Sequence, residues 1–275
     1  MPRRRLERIH ALLPWTRRRR FHAYCVGTPK SGTHSMAALF QAGFRASHEP
    51  ESAWLIERIM ERGEHRPSPS ELRRALRRRD RLLRLELDSS QLNYFILDDL
   101  LDLFPKARFI LTLRECLSWL DSYLNDCLAR PASERWHRFR AFRFAADSGV
   151  HPPEEVALAR RGLFTLEAYL RYWTRHNEHV LRAVPPGRLL VVPTREIGTR
   201  IPEIAGFLHI DPAQLDPDRS HAYHAQAHHD VLDEIPTGYL ADVVTRTCGD
   251  LMQRFFPEEL ARLHAGRLPL LRASG

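Results

Sequence analysis

The stretch Ala23–Ser35, AYCVGTPKSGTHS, constrains the fold of this chain more than any other. A short apolar run ends at a glycine. A loop of glycine and hydroxyl residues follows, and helical periodicity begins at once, with Met36, Leu39 and Phe40 on one face and Gly43 as a stop. Ala23–Gly27 is therefore a predicted strand and Thr33–Ala42 a predicted helix. The rest of the chain repeats this alternation. Leu82–Leu87, Arg108–Leu113 and Leu189–Val192 are apolar runs of strand length, and Phe44–Ser47 is a shorter extended piece. Helical patterns fall at Ser52–Arg62, Ser70–Arg79, Gln91–Phe104, Leu117–Leu128, Leu163–Val184, Ile201–Leu208 and Gly238–Phe256. The expected fold is three-layer α/β, a mainly parallel sheet with helices on both faces. Residues 1–20 read as a basic N-terminal arm and 21–275 as one domain. Arg130–Glu154 and Ile210–Pro236 have weak periodicity and are candidate lids or substrate loops.

The loop has the composition of a phosphate cradle. Free N–H groups at a helix start face an anion, and the helix dipole favours negative charge there. Gly27 and Gly32 permit close backbone approach. Ser31, Thr33 and Ser35 add hydroxyls, and Lys30 adds a mobile positive charge. Lys30 and Lys106 are the only lysines among 42 basic residues, so a lysine in this loop stands against an arginine-rich background. The nucleoside-triphosphatase pattern GxxxxGK[ST] is matched in its glycine spacing, Gly27 to Gly32. Thr33 follows that second glycine, however, and the lysine precedes it, so no Lys-Ser/Thr pair is present to hold a metal-bound triphosphate. On this stretch alone an ordinary strand-to-helix turn is the alternative.

The net charge of +8 suits a polyanionic ligand, or else reflects solvated arginine in runs such as Arg17–Arg20 and Arg73–Arg79. Nucleic acid is not the expected partner, because those runs lack interleaved aromatics. No apolar run is long enough to span a bilayer, and the apolar part of the N-terminal stretch is too short for a secretory signal. A cytoplasmic location is expected, with peripheral membrane contact through the basic arm left open. The four cysteines show no pairing pattern and are expected as thiols.

A second element sharpens the function. Arg114 ends the strand RFILTL, and Ser122 lies eight residues on, on the polar side of the next helix with Ser118 and Asn125. An arginine at the carboxyl end of a parallel strand sits where open α/β sheets bind ligands. It can contact a phosphate through two N–H groups, and Ser122 can add a hydroxyl.

TPKSGTH after a strand, then a strand-ending arginine with a serine eight residues later, resembles the sulfotransferase family that uses 3′-phosphoadenosine 5′-phosphosulfate, PAPS. The context LELDSSQLNYFILDDLLDLFPKARFILTLRECLSWLDSY, with HEPES and CGDLMQRFFPEEL, is similar to bacterial members. The likeness runs from Tyr24 to about Glu259. It implies a P-loop nucleotide-hydrolase-like fold. It implies a cofactor site of Lys30, Ser31, Gly32, Thr33, His34 and Ser35 for the 5′-phosphosulfate, and Arg114 with Ser122 for the 3′-phosphate of PAPS and of its product PAP. Lys30 would also be catalytic, at the leaving oxygen. His34 stands where the family often has threonine, and Glu115-Cys116 replaces the usual acidic/asparagine-proline pair. The C-terminal arginine-lysine-glycine patch is missing, and Arg219 and His224 are the candidate substitutes.

The acceptor hydroxyl needs a base. In several branches of the family a glutamate lies about twenty residues beyond the first motif. Glu49 is the first candidate here, His48 the second and Glu51 the third. Glu49 also reads as a charge at a helix start, and His48 as a structural histidine. Ser89, Ser90 and Asn93 line the acceptor site or cap the next helix. Trp54, Trp119 and Trp173 stack on adenine or belong to the core, the latter being the commoner use of such residues. The acceptor is expected to be a small molecule, saccharide or lipid. No metal is expected, because HAYHAQAHHD matches no common zinc spacing. The alternatives are a nucleotide-dependent kinase and a non-catalytic nucleotide-binding protein.

Overall fold

Alternation along β1 (Ala23–Cys25) sets the layers of the molecule. Ala23 and Cys25 face one apolar cluster, and Tyr24 and Val26 face another. The computed structural model describes residues 18–64, 69–130, 132–220 and 228–267. Its centre is one sheet of five parallel strands in the order β2-β3-β1-β4-β5, with β2 at Ala46–His48, β3 at Leu87–Ser89, β4 at Arg108–Leu113 and β5 at Leu189–Pro193.

On one face lie α1 (Thr33–Gln41) and, near the C-terminal half, Ile201–Leu208. Met36, Leu39, Phe40, Ile204 and Leu208 are buried there against Leu87, Ile110 and Val192. On the other face α2 (Ser52–Glu64), α3 (Pro69–Leu83), α4 (Leu97–Leu103), α5 (Cys116–Ala129), α6 (Glu134–Phe144) and α7 (Leu166–Ala183) follow in chain order. Ile201–Leu208 is α8, and α9 (Thr237–Phe255) and α10 (Pro257–His264) complete a helical cluster around Trp119 and Trp173. The three-layer α/β architecture is as expected, and the sheet is parallel throughout.

Several local expectations are corrected. The strand expected at Leu82–Leu87 begins only at Leu87. Leu82 and Leu83 end α3, and Leu82 is 67% exposed. Arg84 then takes φ 47°, a left-handed turn that stops the helix. The helix expected over Gln91–Phe104 opens with a 3-10 turn, Gln91–Ile96, whose cap Ser90 accepts the Leu92 N–H at 3.0 Å. The helix expected from Leu163 starts later, because Thr165 caps it by accepting the Ala168 N–H at 3.3 Å. The candidate lid Arg130–Glu154 contains α6, and α10 lies in sequence assigned no element. Ile210–Pro236, within the described residues, holds short 3-10 turns at Pro212–Gln214, Pro217–Arg219 and Val231–Glu234.

The basic arm lies outside the described residues up to position 17. Arg19 and Arg20 are anchored: Arg19 grips Asp80 at 2.7 Å, and the Arg20 N–H donates to Glu86 at 3.0 Å. Cys25, Cys116 and Cys248 are buried thiols, and Cys127 is partly buried. Among the described residues no helix is long and apolar enough to cross a membrane.

Candidate functional site

Four neighbouring parallel strands deliver four loops to one edge of the sheet. From the carboxyl end of β2 come His48 and Glu49, from β3 Ser90 and Gln91, from β1 the glycine loop, and from β4 Arg114. The chain builds β2 and β3 to one side of β1 and then crosses to β4 on the other, so the loop sits at the point where the strand order reverses. That crevice is where such sheets take ligands.

The loop itself is shaped from behind. The Val26 carbonyl accepts from His176 Nε2 at 2.7 Å, Pro29 from Trp119 Nε1 at 2.6 Å and Lys30 from Arg114 Nη1 at 3.2 Å. The Ser31 carbonyl accepts from Thr194 Oγ1 at 2.6 Å, and that of Thr33 from Ser89 Oγ at 2.6 Å. In a trans peptide the N–H points opposite to the C=O. Tying the carbonyls to the scaffold therefore turns following N–H groups, such as those of Gly32 and His34, away from it, whereas the Ser31 N–H donates to the Thr28 carbonyl at 3.2 Å. Lys30 (φ 64°) and Gly32 (φ 97°) are left-handed, the alternation that makes a concave nest of N–H groups. Gly32 caps α1 without any side-chain partner, so the first N–H groups of the helix are not satisfied by a cap.

Gly27 has no room for a methyl group. A Cβ there would lie 2.0 Å from Thr112 Oγ1, 2.4 Å from Ser31 Oγ and 2.7 Å from the Thr112 carbonyl, which belongs to the central strand β4. Gly27→Ala is expected to destabilise the fold by about 3 kcal/mol, read as a lower urea midpoint at unchanged slope.

Several of the expected site residues lie close to one another in the structure. Lys30 Nζ lies 3.1 Å from Asp126 Oδ1. Burial lowers the lysine pKa, and the Asp126 carboxylate works against that fall. Thr33 Oγ1 lies 3.2 Å from His48 Nε2, and the His34 and His48 rings stack at 4.9 Å. Burial, helped by the His34 and Lys30 charges, pulls the His48 pKa down to about 4, so this imidazole is neutral near pH 7. Ser35 is buried in the first turn of α1. The Ser31 hydroxyl departs from expectation: it donates to the Thr28 carbonyl at 2.7 Å and sits 3.0 Å from Thr112 Oγ1, so it faces inward, and the Ser31 N–H also donates to the Thr28 carbonyl, at 3.2 Å.

Glu49 has φ 48°, an uncommon conformation for a residue with a Cβ. Its N–H donates to the Ser89 carbonyl at 2.9 Å, and its Oε1 accepts from Gln91 Nε2 at 2.6 Å. Burial raises its carboxyl pKa, partly offset by Gln91 and by the positive charge of Arg143. Glu51 is the outer partner of Arg79 at 3.4 Å, and Arg79 also binds Asp88 at 2.7 Å and the Pro50 carbonyl at 2.8 Å. This clasp holds the segment that carries Glu49.

Arg114 is half-buried just past the end of β4, and its Nε reaches Ser118 Oγ at 3.4 Å. Ser122, one turn further along α5, is buried. The departure at Glu115 has a physical role. Its carboxylate caps α5, accepting from the N–H groups of Leu117 at 2.8 Å and Ser118 at 2.7 Å. Ser89 and Ser90 prove to be scaffold, as does Asn93, whose Nδ2 donates to the Cys25 carbonyl at 3.2 Å. Trp119 and Trp173 are core residues whose indoles grip the Pro29 and Arg114 carbonyls, and Trp54 is a partly buried neighbour of the second apolar cluster. Arg219 pairs with Asp216 at 3.2 Å. His224 lies outside the described residues, as does most of HAYHAQAHHD.

Sequence reasoning missed Asp126, His176 and Thr194. Asp126 had a signal, since it follows Ser122 by four residues on one helix. His176 and Thr194 reach the loop from distant elements, which no spacing announces.

The family described as "Sulfotransferase domain" matches residues 24–209 of the chain. Among solved structures the chain is similar to the sulfotransferase STF9 from Mycobacterium avium, at 11% identity and a TM-score of 0.49, covering 90% of this chain and 81% of that one. It is also similar to the sulfotransferase domain of the Synechococcus PCC 7002 olefin synthase, at 18% identity and a TM-score of 0.40, covering 77% and 82%. No curated protein matches.

Proposed function

The chain belongs to the sulfotransferase domain family, and on that premise we propose that it moves a sulfuryl group from PAPS to the hydroxyl of a small-molecule acceptor by in-line displacement. The observation that carries this reading is the clamped loop: carbonyls tied back by His176, Trp119, Arg114, Thr194 and Ser89, and N–H groups turned to the cleft beside Lys30. That arrangement fits a 5′-phosphosulfate, and the half-buried Arg114 at the next strand end fits a second phosphate. When bound, PAPS supplies the sulfuryl group.

The protein's own work is positioning and electrostatics. Backbone N–H groups of Gly32, Thr33, His34 and Ser35 hold the 5′-phosphate, while the Ser31 N–H closes the loop on the Thr28 carbonyl. Arg114 and Ser122 hold the 3′-phosphate. Lys30 neutralises charge growing on the leaving oxygen, and Asp126 aims its ammonium from α5. Glu49 takes the acceptor proton. His48 is the second candidate base, since it is neutral near pH 7, but a pKa of about 4 makes it a weak one.

The test is calorimetric titration with PAP (adenosine 3′,5′-bisphosphate), AMP and magnesium-ATP. Micromolar PAP binding without metal is expected, with AMP far weaker. Arg114→Ala is expected to weaken PAP by about tenfold to a hundredfold, a lost charged hydrogen bond, and to bring PAP and AMP together. Preference for magnesium-ATP would overturn the reading in favour of a kinase, and unchanged PAP affinity in Arg114→Ala would remove Arg114 from the site.

A further inference from the structure

We propose that Arg143 holds an oxyanion of the acceptor, so that this site takes a hydroxyl compound which also carries a carboxylate, sulfate or phosphate group. The inference rests on the sulfotransferase reading and extends it to the acceptor.

Arg143 lies on the inner face of α6 and is 5% exposed. Its Nε and Nη2 are buried without a hydrogen-bond partner, and among the described residues no carboxylate pairs with it. Arg79 also has an unpartnered Nε but is charge-paired with Asp88 at 2.7 Å, and Arg114 donates to the Lys30 carbonyl at 3.2 Å. A buried guanidinium without a counter-ion is costly. The Phe139 ring at 4.3 Å and the Tyr172 ring at 5.7 Å offset only part of that cost and satisfy no N–H group.

The position is next to the chemistry. Tyr172 lies 6.3 Å from Trp119, whose indole grips the loop at Pro29, and 5.6 Å from His176, which grips it at Val26. Helix α6 packs on α2, the helix that Glu49 leads into. The charge of Arg143 reaches Glu49, yet the two form no ion pair. Gln91, which holds Glu49, also has a buried Oε1 without a partner. On this reading a ligand brings an anion to the unanswered N–H donors of Arg143 and a hydroxyl to Glu49, the carboxyl that Gln91 holds. A bidentate oxyanion matches the guanidinium fork.

The test uses PAP-saturated full-length protein and paired probes, read by calorimetry. Methyl β-glucuronide against methyl β-glucoside tests a sugar carboxylate. Glycerol 3-phosphate against glycerol tests a phosphate headgroup, and 4-hydroxyphenylacetate against its amide tests a small aromatic acid. At least one anionic member is expected to bind about tenfold or more tightly than its neutral twin, and the favoured pair tells which source of oxyanion the site accepts. Arg143→Met is expected to bring that pair within about twofold, with thermal stability equal to or above wild type, because an unpaired buried charge has been removed. Arg143→Lys, which keeps a charge without the fork, should retain part of the preference. Equal binding of all twins, no binding of any anionic member, or a preference that survives Arg143→Met would overturn the proposal. PAP binding measured in the same cell separates the two levels: its absence strikes the donor reading, while PAP binding without oxyanion preference strikes only the Arg143 site.

Discussion

Lys30→Ala is expected to lower kcat by about two to three orders of magnitude, with PAP affinity changed by less than about tenfold and the fold intact. The rate loss is that of removing one charged donor from a leaving group, because such a contact strengthens as charge develops. The fold survives because the pair with Asp126 is a partly exposed ion pair, with Lys30 14% and Asp126 25% exposed, and contributes about 1 kcal/mol or less. Thermal midpoint, PAP titration and turnover of any hydroxyl compound that the wild type sulfates are the measurements. Wild-type turnover in the variant would end the leaving-group role. Asp126→Asn sorts out a rival explanation: if Lys30 serves only to pair with Asp126, that substitution costs as much as Lys30→Ala. A smaller loss is expected, since the ammonium remains.

Glu49→Gln is expected to lower kcat by about two to four orders of magnitude at unchanged PAP affinity, the contribution of a positioned base. The pH dependence supplies a second readout. Burial raises the Glu49 carboxyl above its ordinary value, and only the ionised form accepts a proton. The acid limb of kcat/KM in the wild type should therefore fall at a pH above the ordinary carboxyl range, and that limb should vanish in Glu49→Gln. The sign for stability runs the other way. A carboxyl whose folded pKa is raised favours the folded state below its unfolded value, and that contribution is lost as pH rises through the folded value. Glu49→Gln, uncharged and still able to bond Gln91, should thus be no less stable than wild type at pH 7, so lost activity would not reflect unfolding. An acid limb that persists in the variant would shift the role to another group, with His48 next in line.

The parts legible in the sequence were those where one local signal agreed with the fold. AYCVG followed by TPKSG gave β1, the loop and α1, and RFILTL ending in Arg114 gave β4 with the same bounds as observed. Lys30 and Arg114 follow strands whose ends are marked by a change from apolar to polar residues, Glu49 follows the short β2, and Ser122 lies on α5. Misplacement came where apolarity and structure parted. Leu82 and Leu83 suggested a strand, but they finish α3, while the real strand β3 carries Asp88 and Ser89, polar residues buried because Arg79 and Thr33 answer them. Helix α6 was hidden for a related reason: its inner face bears Arg143 between Phe139 and Phe144, which breaks the apolar stripe that periodicity looks for. The tie-backs from His176 and Thr194 lie 150 and 163 residues from the carbonyls they hold, beyond any local pattern.

Those tie-backs carry a consequence for how the two halves of the cleft can change. His176 comes from α7, Trp119 from α5, Arg114 from the end of β4, Ser89 from β3 and Thr194 from the turn after β5, so the nest cannot open without loosening its neighbours. Its local opening is therefore coupled to unfolding of the whole sheet, and its geometry is inherited wherever the sheet is. On the reading proposed above, the acceptor's oxyanion is held from α6, which makes none of these ties to the loop. A lineage can thus exchange one acceptor for another by altering α6 while the donor end is passed on unchanged, and the same division tells an engineer which half of the cleft to randomise.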